Sequence, residues 1–230
     1  VIEHLLELRK RLLRYLLVLL GAFALCFWQA DSLFRFLAHP LQEALGANAS
    51  FVFIAPHEAF FTYLRLSLFA AFFFTFPWLL AEAWAFVVPG LYEHERRWFT
   101  PLLFAAAVLF YAGAAFAYWG VFPFAFRFFF SFAGDGIAAL PSLKETLSLS
   151  LKMLFAFGVA FEIPLALLLL LHFGIVTRTR LEKARGYVVL LLFVLAAILT
   201  PPDVVTQLLL AFPMWLLFEL TLLAHRLIHR

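Results

Sequence analysis

Charge is what this sequence has least of. Charged side chains make up 13% of its 230 residues and apolar ones 66%, whereas an ordinary soluble domain is roughly a quarter charged and half apolar. A water-soluble fold of this length cannot hide so much apolar surface, so much of the chain must have lipid as its solvent. Cysteine is nearly absent. The single residue, Cys26, excludes an internal disulfide and a cysteine-based metal cluster, and its apolar setting suits a small buried hydrophobe. Blocks of Lys and Arg are missing as well. The net charge is only +3, which gives no nucleic-acid patch and leaves the bases to report membrane topology. Catalytic motifs are also lacking. His57-Glu58 and His94-Glu95 have no histidine three residues beyond the glutamate, so the zinc-protease helix motif is incomplete. Gly134-Asp135-Gly136 reads as a turn in a loop, no glycine-rich phosphate loop occurs, and neither an enzyme nor a bound cofactor is expected.

What is present is a series of six apolar runs, at about 12–30, 59–88, 99–122, 147–173, 186–200 and 204–224. At 1.5 Å per residue roughly 20 residues cross a bilayer, so the first four qualify easily and the fifth is short. The fold class expected is all-α: a polytopic membrane protein with six transmembrane helices and one integral membrane domain over 1–230. Ahead of the first run, residues 2–11 place Leu5, Leu8 and Leu12 on one stripe and predict an amphipathic interfacial helix. No cleavable signal peptide is expected, because the following run is too long and has no small-residue cleavage site. A chain that opens on Val1 rather than Met is expected to have lost a few residues. With the N-terminus inside, twelve of the 17 Lys and Arg fall in inner segments, so both termini are expected in the cytoplasm. The loops on the other side are long. Residues 31–58 hold a short helix interrupted at Pro40 and a β-prone run at Phe51–Ile54, and residues 123–146 read as an aromatic loop with turns. No internal repeat is visible.

Polar groups inside the spans are the informative ones, since each costs several kcal/mol unless paired or wet. Glu162 sits mid-span two residues before Pro164, which frees a backbone carbonyl and invites a bend. It is either a protonated acid bonded to a neighbouring helix or a contact for a partner or substrate. Gln207 and Thr200 flank the turn Thr200-Pro201-Pro202-Asp203, where Gln207 can bond across helices and Asp203 suits the N-cap of the last helix. Glu82 and Glu219 lie toward helix ends and read as structural. Glu7 and Arg11 form an i,i+4 pair in the favourable order. Residues 89–97, Pro-Gly-Leu-Tyr-Glu-His-Glu-Arg-Arg, make a short charged loop.

Four motifs in order along the chain carry a resemblance. His4-Leu5-Leu6-Glu7-Leu8-Arg9-Lys10-Arg11-Leu12 precedes the first span and Pro89-Gly90-Leu91-Tyr92-Glu93-His94-Glu95-Arg96-Arg97 follows the second. Phe157-Gly158-Val159-Ala160-Phe161-Glu162-Ile163-Pro164 lies in the fourth, and Leu199-Thr200-Pro201-Pro202-Asp203-Val204 with Gln207 opens the sixth. Together they resemble the TatC family, the core receptor of the twin-arginine protein translocase.

The resemblance implies a concave, glove-like bundle that binds twin-arginine signal peptides of folded export substrates. It implies a receptor complex in which the chain oligomerises and docks single-span TatA and TatB subunits, driven by the proton-motive force. Carried over position by position, Glu7 and Glu95 match the carboxylates that read the arginine pair, with Arg9, Arg96 and Arg97 beside them. Glu162, Thr200 and Gln207 match partner-helix contacts, and Pro40, Phe86 and Asp203 match further family positions. One departure is Ala197, where the family has a methionine. Carboxylates suit the task, because a guanidinium makes bidentate, charge-assisted hydrogen bonds with them. A proton- or cation-coupled carrier of a small solute, with Glu162 as its ion site, is the alternative reading of the same residues.

Overall fold

A computed structural model describes residues 2–45, 51–52, 55–87, 99–132, 140–172, 174–200 and 203–228. Among these residues the chain is all-α, apart from one isolated parallel bridge between Val52 and Ser142. The helices are α1 (Ile2–Trp28), α2 (Ala30–Leu45), α3 (Glu58–Val87), α4 (Phe99–Ala115), α5 (Phe122–Phe130), α6 (Leu143–Phe161), α7 (Ile163–His172), α8 (Arg178–Lys183), α9 (Arg185–Leu199) and α10 (Val204–Ile228). A π-helical segment, Phe116–Val121, joins α4 to α5 without a break. Among the described residues, five stretches are long and apolar enough to cross a membrane, and the shorter apolar helix within α9 makes a sixth candidate.

Several boundaries differ from the sequence expectation. The interfacial helix at 2–11 is not separate: α1 runs unbroken from Ile2 into the first span, because nothing between Lys10 and Leu12 breaks helical propensity. The segment after it is a 16-residue helix rather than a short broken one, and Pro40 is buried inside it. One proline removes one intrahelical bond, and the packing of Leu37, Ala38 and Leu41 around it holds the helix together. The third apolar run continues as helix to Phe130, so residues 123–130 are not loop. Their Phe-rich sequence packs Phe122 against Tyr118 and Phe126. In the β-prone run at 51–54, of which 51 and 52 are described, Val52 forms the bridge: Val52 N–H donates to Pro141 O and Leu143 N–H donates to Val52 O.

The chain divides into two compact units. The first comprises 1–42, 46–108 and 139–151, and the second 43–45, 109–138 and 152–230. In the first, α1 packs along α3, with Cys26 against Ala70 and Ala71 and with Leu19, Ala22 and Phe23 around them. The leucines on the other side of α1 (Leu12, Leu13, Leu16, Leu17 and Leu20) stay exposed, as a lipid-facing surface should. In the second unit α10 packs on α7 and α9. Two glycines there let helices close in: a Cβ on Gly113 would sit 2.3 Å from Phe157 O, and one on Gly158 would sit 2.6 Å from a Phe110 ring carbon.

Candidate functional site

Helical periodicity sets the first site. Glu7, Arg11 and Tyr15 recur every four residues and so share one face of α1, the face that meets α3. There Tyr15 Oη and Thr75 Oγ1 are 3.2 Å apart. One turn toward the N-terminus, Arg11 donates through Nη2 to Glu7 Oε1 at 2.7 Å and through Nη1 to Glu82 Oε2 at 3.2 Å. Arg14 reaches the other Glu82 oxygen at 3.4 Å. Glu82, expected near a helix end and structural, is therefore the hub of a four-residue network, with only 11% of its side chain exposed. Glu7 keeps 39% exposure, and Arg9 is exposed. Phe86 lies one turn beyond Glu82 on α3 and is half-buried. Glu95, Arg96 and Arg97 fall outside the described residues, as do Pro201, Pro202 and the Gly134-Asp135-Gly136 turn.

Pro40 also belongs to the first unit, and the second carries Glu162, Thr200, Asp203 and Gln207. Glu162 interrupts the long apolar run: its N–H bonds Val159 O in a tightened turn at 3.0 Å, and α7 restarts with Ala166 N–H donating to Glu162 O. Pro164 explains the break, since it has no N–H for the carbonyl of Ala160. Glu162 Oε1 is shut away from solvent and has no hydrogen-bond partner among the described residues. Gln207 does bridge helices, its side-chain amide donating from α10 to Phe193 O of α9 at 3.0 Å. Thr200 is buried, and its hydroxyl donates to Ala196 O. Asp203 caps α10 as expected, accepting from Thr206 N–H at 2.8 Å and from the Thr206 hydroxyl. Glu219 pairs with Arg185 at 3.0 Å.

Sequence reasoning missed the link from Arg11 to Glu82, which is 71 positions away and has no local signature. It also missed Glu58, whose carboxylate accepts from Ala55 N–H, from the Ser142 hydroxyl and from Lys144 N–H in the first turn of α6. A serine just ahead of an apolar run was the available signal for that helix start.

Long apolar helices carrying a few buried, mostly paired charges define an integral membrane protein of the polytopic α-helical class. The family model described as "Sec-independent protein translocase protein (TatC)" matches residues 3–213. A Sec-independent protein translocase protein TatC from Magnetococcus marinus is 46% identical over the whole of this chain and 85% of its own length. The Escherichia coli protein of the same name is 39% identical, over 96% of this chain and 85% of its own. A solved structure described as the twin arginine translocase receptor TatC superposes with a TM-score of 0.85 at 36% identity, covering 99% of this chain and all of that one. The chain belongs to the TatC family and is a component of the Sec-independent protein translocase.

Proposed function

We propose that this chain is the receptor subunit of the translocase, a single membrane domain whose Glu7 and Glu95 read the arginine pair of a signal peptide at the cytoplasmic face. The observation that carries this reading is the occupation of Glu7 by an arginine of its own chain, at 2.7 Å. A partly exposed carboxylate that already holds a guanidinium has the geometry to take another by exchange. The related solved structures are themselves described as a twin arginine translocase receptor. Arg11 and Arg14, tied down by Glu82, are kept from repelling a cationic peptide, and Arg9, Arg96 and Arg97 flank the carboxylates in sequence. Twelve of 17 bases on one side of the membrane support termini in the cytoplasm.

Glu162, Thr200 and Gln207 are assigned to the partner helices of TatA and TatB type. Support comes from Glu162 Oε1, which lacks a partner among the described residues and gains one if a neighbouring helix brings a donor. Pro40, Phe86 and Asp203 serve by shaping the helices that carry these sites, and the work is driven by the proton-motive force within an oligomeric receptor complex. Photocrosslinking tests the division of roles. Probes at positions 7 and 95 should capture a twin-arginine precursor and lose it when its arginine pair becomes Lys-Lys. Probes at 162 and 207 should capture the small single-span subunits. Precursor capture at positions 7 and 95 that is indifferent to the arginine pair would sink the reading.

A further inference from the structure

At the end of α3 away from the Glu7 network lies a cavity of about 330 Å³, lined by His57, Glu58, Phe61, Thr62, Arg65 and Lys144 among others. Arg65 is its unusual member. It stands two turns inside a predominantly apolar span, and its side chain is exposed with no ion-pair or hydrogen-bond partner among the described residues. A lone guanidinium at such a depth is costly unless it reaches an anion or snorkels to the interface. The carboxylate sharing the cavity is engaged elsewhere: Glu58 accepts the N–H groups of Ala55 and Lys144 and the hydroxyl of Ser142, and so sits at the positive end of α6. The Lys144 ammonium lies only within 3.9 Å of the exposed Glu145. With Lys144 loosely paired to Glu145 and Glu58 held by neutral donors, Arg65 is the cation of the cavity that lacks a counter-charge among the described residues.

The surroundings say where that charge comes from. Trp28 is 84% exposed, and Phe27, Phe60 and Phe61 are exposed beside it, with Phe27 edge-on to Phe60 and Phe61 edge-on to His57. A ring of exposed aromatics at the ends of two spans marks the level of the lipid headgroups. We propose that this cavity is a binding site for the phosphodiester of an anionic phospholipid with an uncharged headgroup, of the phosphatidylglycerol type. Arg65 and Lys144 take the phosphate, the Thr62 hydroxyl and His57 offer further polar contacts, and Phe61 lies against the glycerol and upper acyl chains. One phosphodiester supplies the one missing charge, whereas a zwitterionic lipid would bring an ammonium toward two cations.

The test is native mass spectrometry of the full chain in detergent, delipidated and then titrated with phosphatidylglycerol, with phosphatidylcholine or with inorganic phosphate. Wild-type protein should retain phosphatidylglycerol about tenfold better than phosphatidylcholine, and the R65Q/K144Q double variant should lose about that factor. Lys152→Gln, which removes a base outside the cavity, should leave retention unchanged. Because R65Q/K144Q can fail to fold, the charge-keeping R65K/K144R pair is measured beside it and should hold the lipid. Equal retention of the two lipids, or unchanged retention in a folded R65Q/K144Q, overturns the proposal. Saturable binding of phosphate alone that displaces the lipid also overturns it, in favour of a small-anion site.

Discussion

Glu82 and Glu162 are both glutamates set in apolar helices, and the chain treats them in opposite ways. Glu82, in the first unit, is held by two arginines of α1 through both of its oxygens. Glu162, in the second, sits at a helix break with Oε1 shut in and without a partner among the described residues. Each ionisable group within a span is costly. The first cost is met inside the protein, and no described residue meets the second. A satisfied network holds its helices together whether or not anything binds, while an unsatisfied buried acceptor stays costly until a donor arrives. The contrast therefore separates a residue tied into the fold from the residue proposed above to contact a partner helix.

The sharpest way to break this contrast is Glu82→Leu. Removing the carboxylate leaves the half-buried Arg11 with Glu7 alone, and loss of the charge-assisted hydrogen bonds to Glu82 costs about 2 kcal/mol. Thermal unfolding in detergent, followed by circular dichroism, should show that loss. An unchanged midpoint would mean that lipid phosphates replace Glu82 and that the network is incidental. The same variant should also weaken precursor crosslinking at position 95, since Arg11 is then free to hold Glu7 more tightly. Gly113→Ala comes next. Its Cβ would meet Phe157 O at 2.3 Å, so α4 and α6 must separate at a cost of about 2 kcal/mol. Since α6 leads directly into Glu162, partner crosslinking from position 162 should fall in step with stability. Gln207→Leu should cost about 1 kcal/mol, the net worth of its hydrogen bond to Phe193 O; a larger drop would indicate that the amide organises more than the α9–α10 contact.

The two glutamates also differ in how far sequence could foresee them. Glu162 was legible: an acid mid-span, two residues before a proline, predicts both the bend and the exception, and the break falls where Pro164 withdraws its N–H. Asp203 was legible for the same reason, because capping is local chemistry at fixed spacing. The Glu7–Arg11 pair was visible as an i,i+4 repeat. Its extension to Glu82 was not, since nothing in a single sequence says which faces of α1 and α3 meet. The same limit hid the tie from Glu58 to the start of α6. Helix extents failed differently. Residues 123–130 read as loop because phenylalanine runs have no strong helical preference, yet packing of Phe122 and Phe126 draws them into helix. Glu95, Arg96 and Arg97 lie outside the described residues.

Glu162→Leu carries the smallest expected change in stability and the strongest bearing on the contrast. Leucine removes the unpartnered oxygen from the apolar interior, and exchanging an unsatisfied polar group for an apolar one of similar size is neutral or favourable by about 1 kcal/mol. The isolated chain should thus unfold at the same or a higher temperature, opposite in sign to Glu82→Leu. If Oε1 is held open for a donor on a partner helix, crosslinking of the single-span subunits and export of a twin-arginine precursor should both fall in the same variant. Glu162→Gln, which keeps an acceptor and adds donors, should retain part of both. A destabilised Glu162→Leu protein would mean that the carboxylate has a partner within its own chain, and the distinction between the two glutamates would collapse.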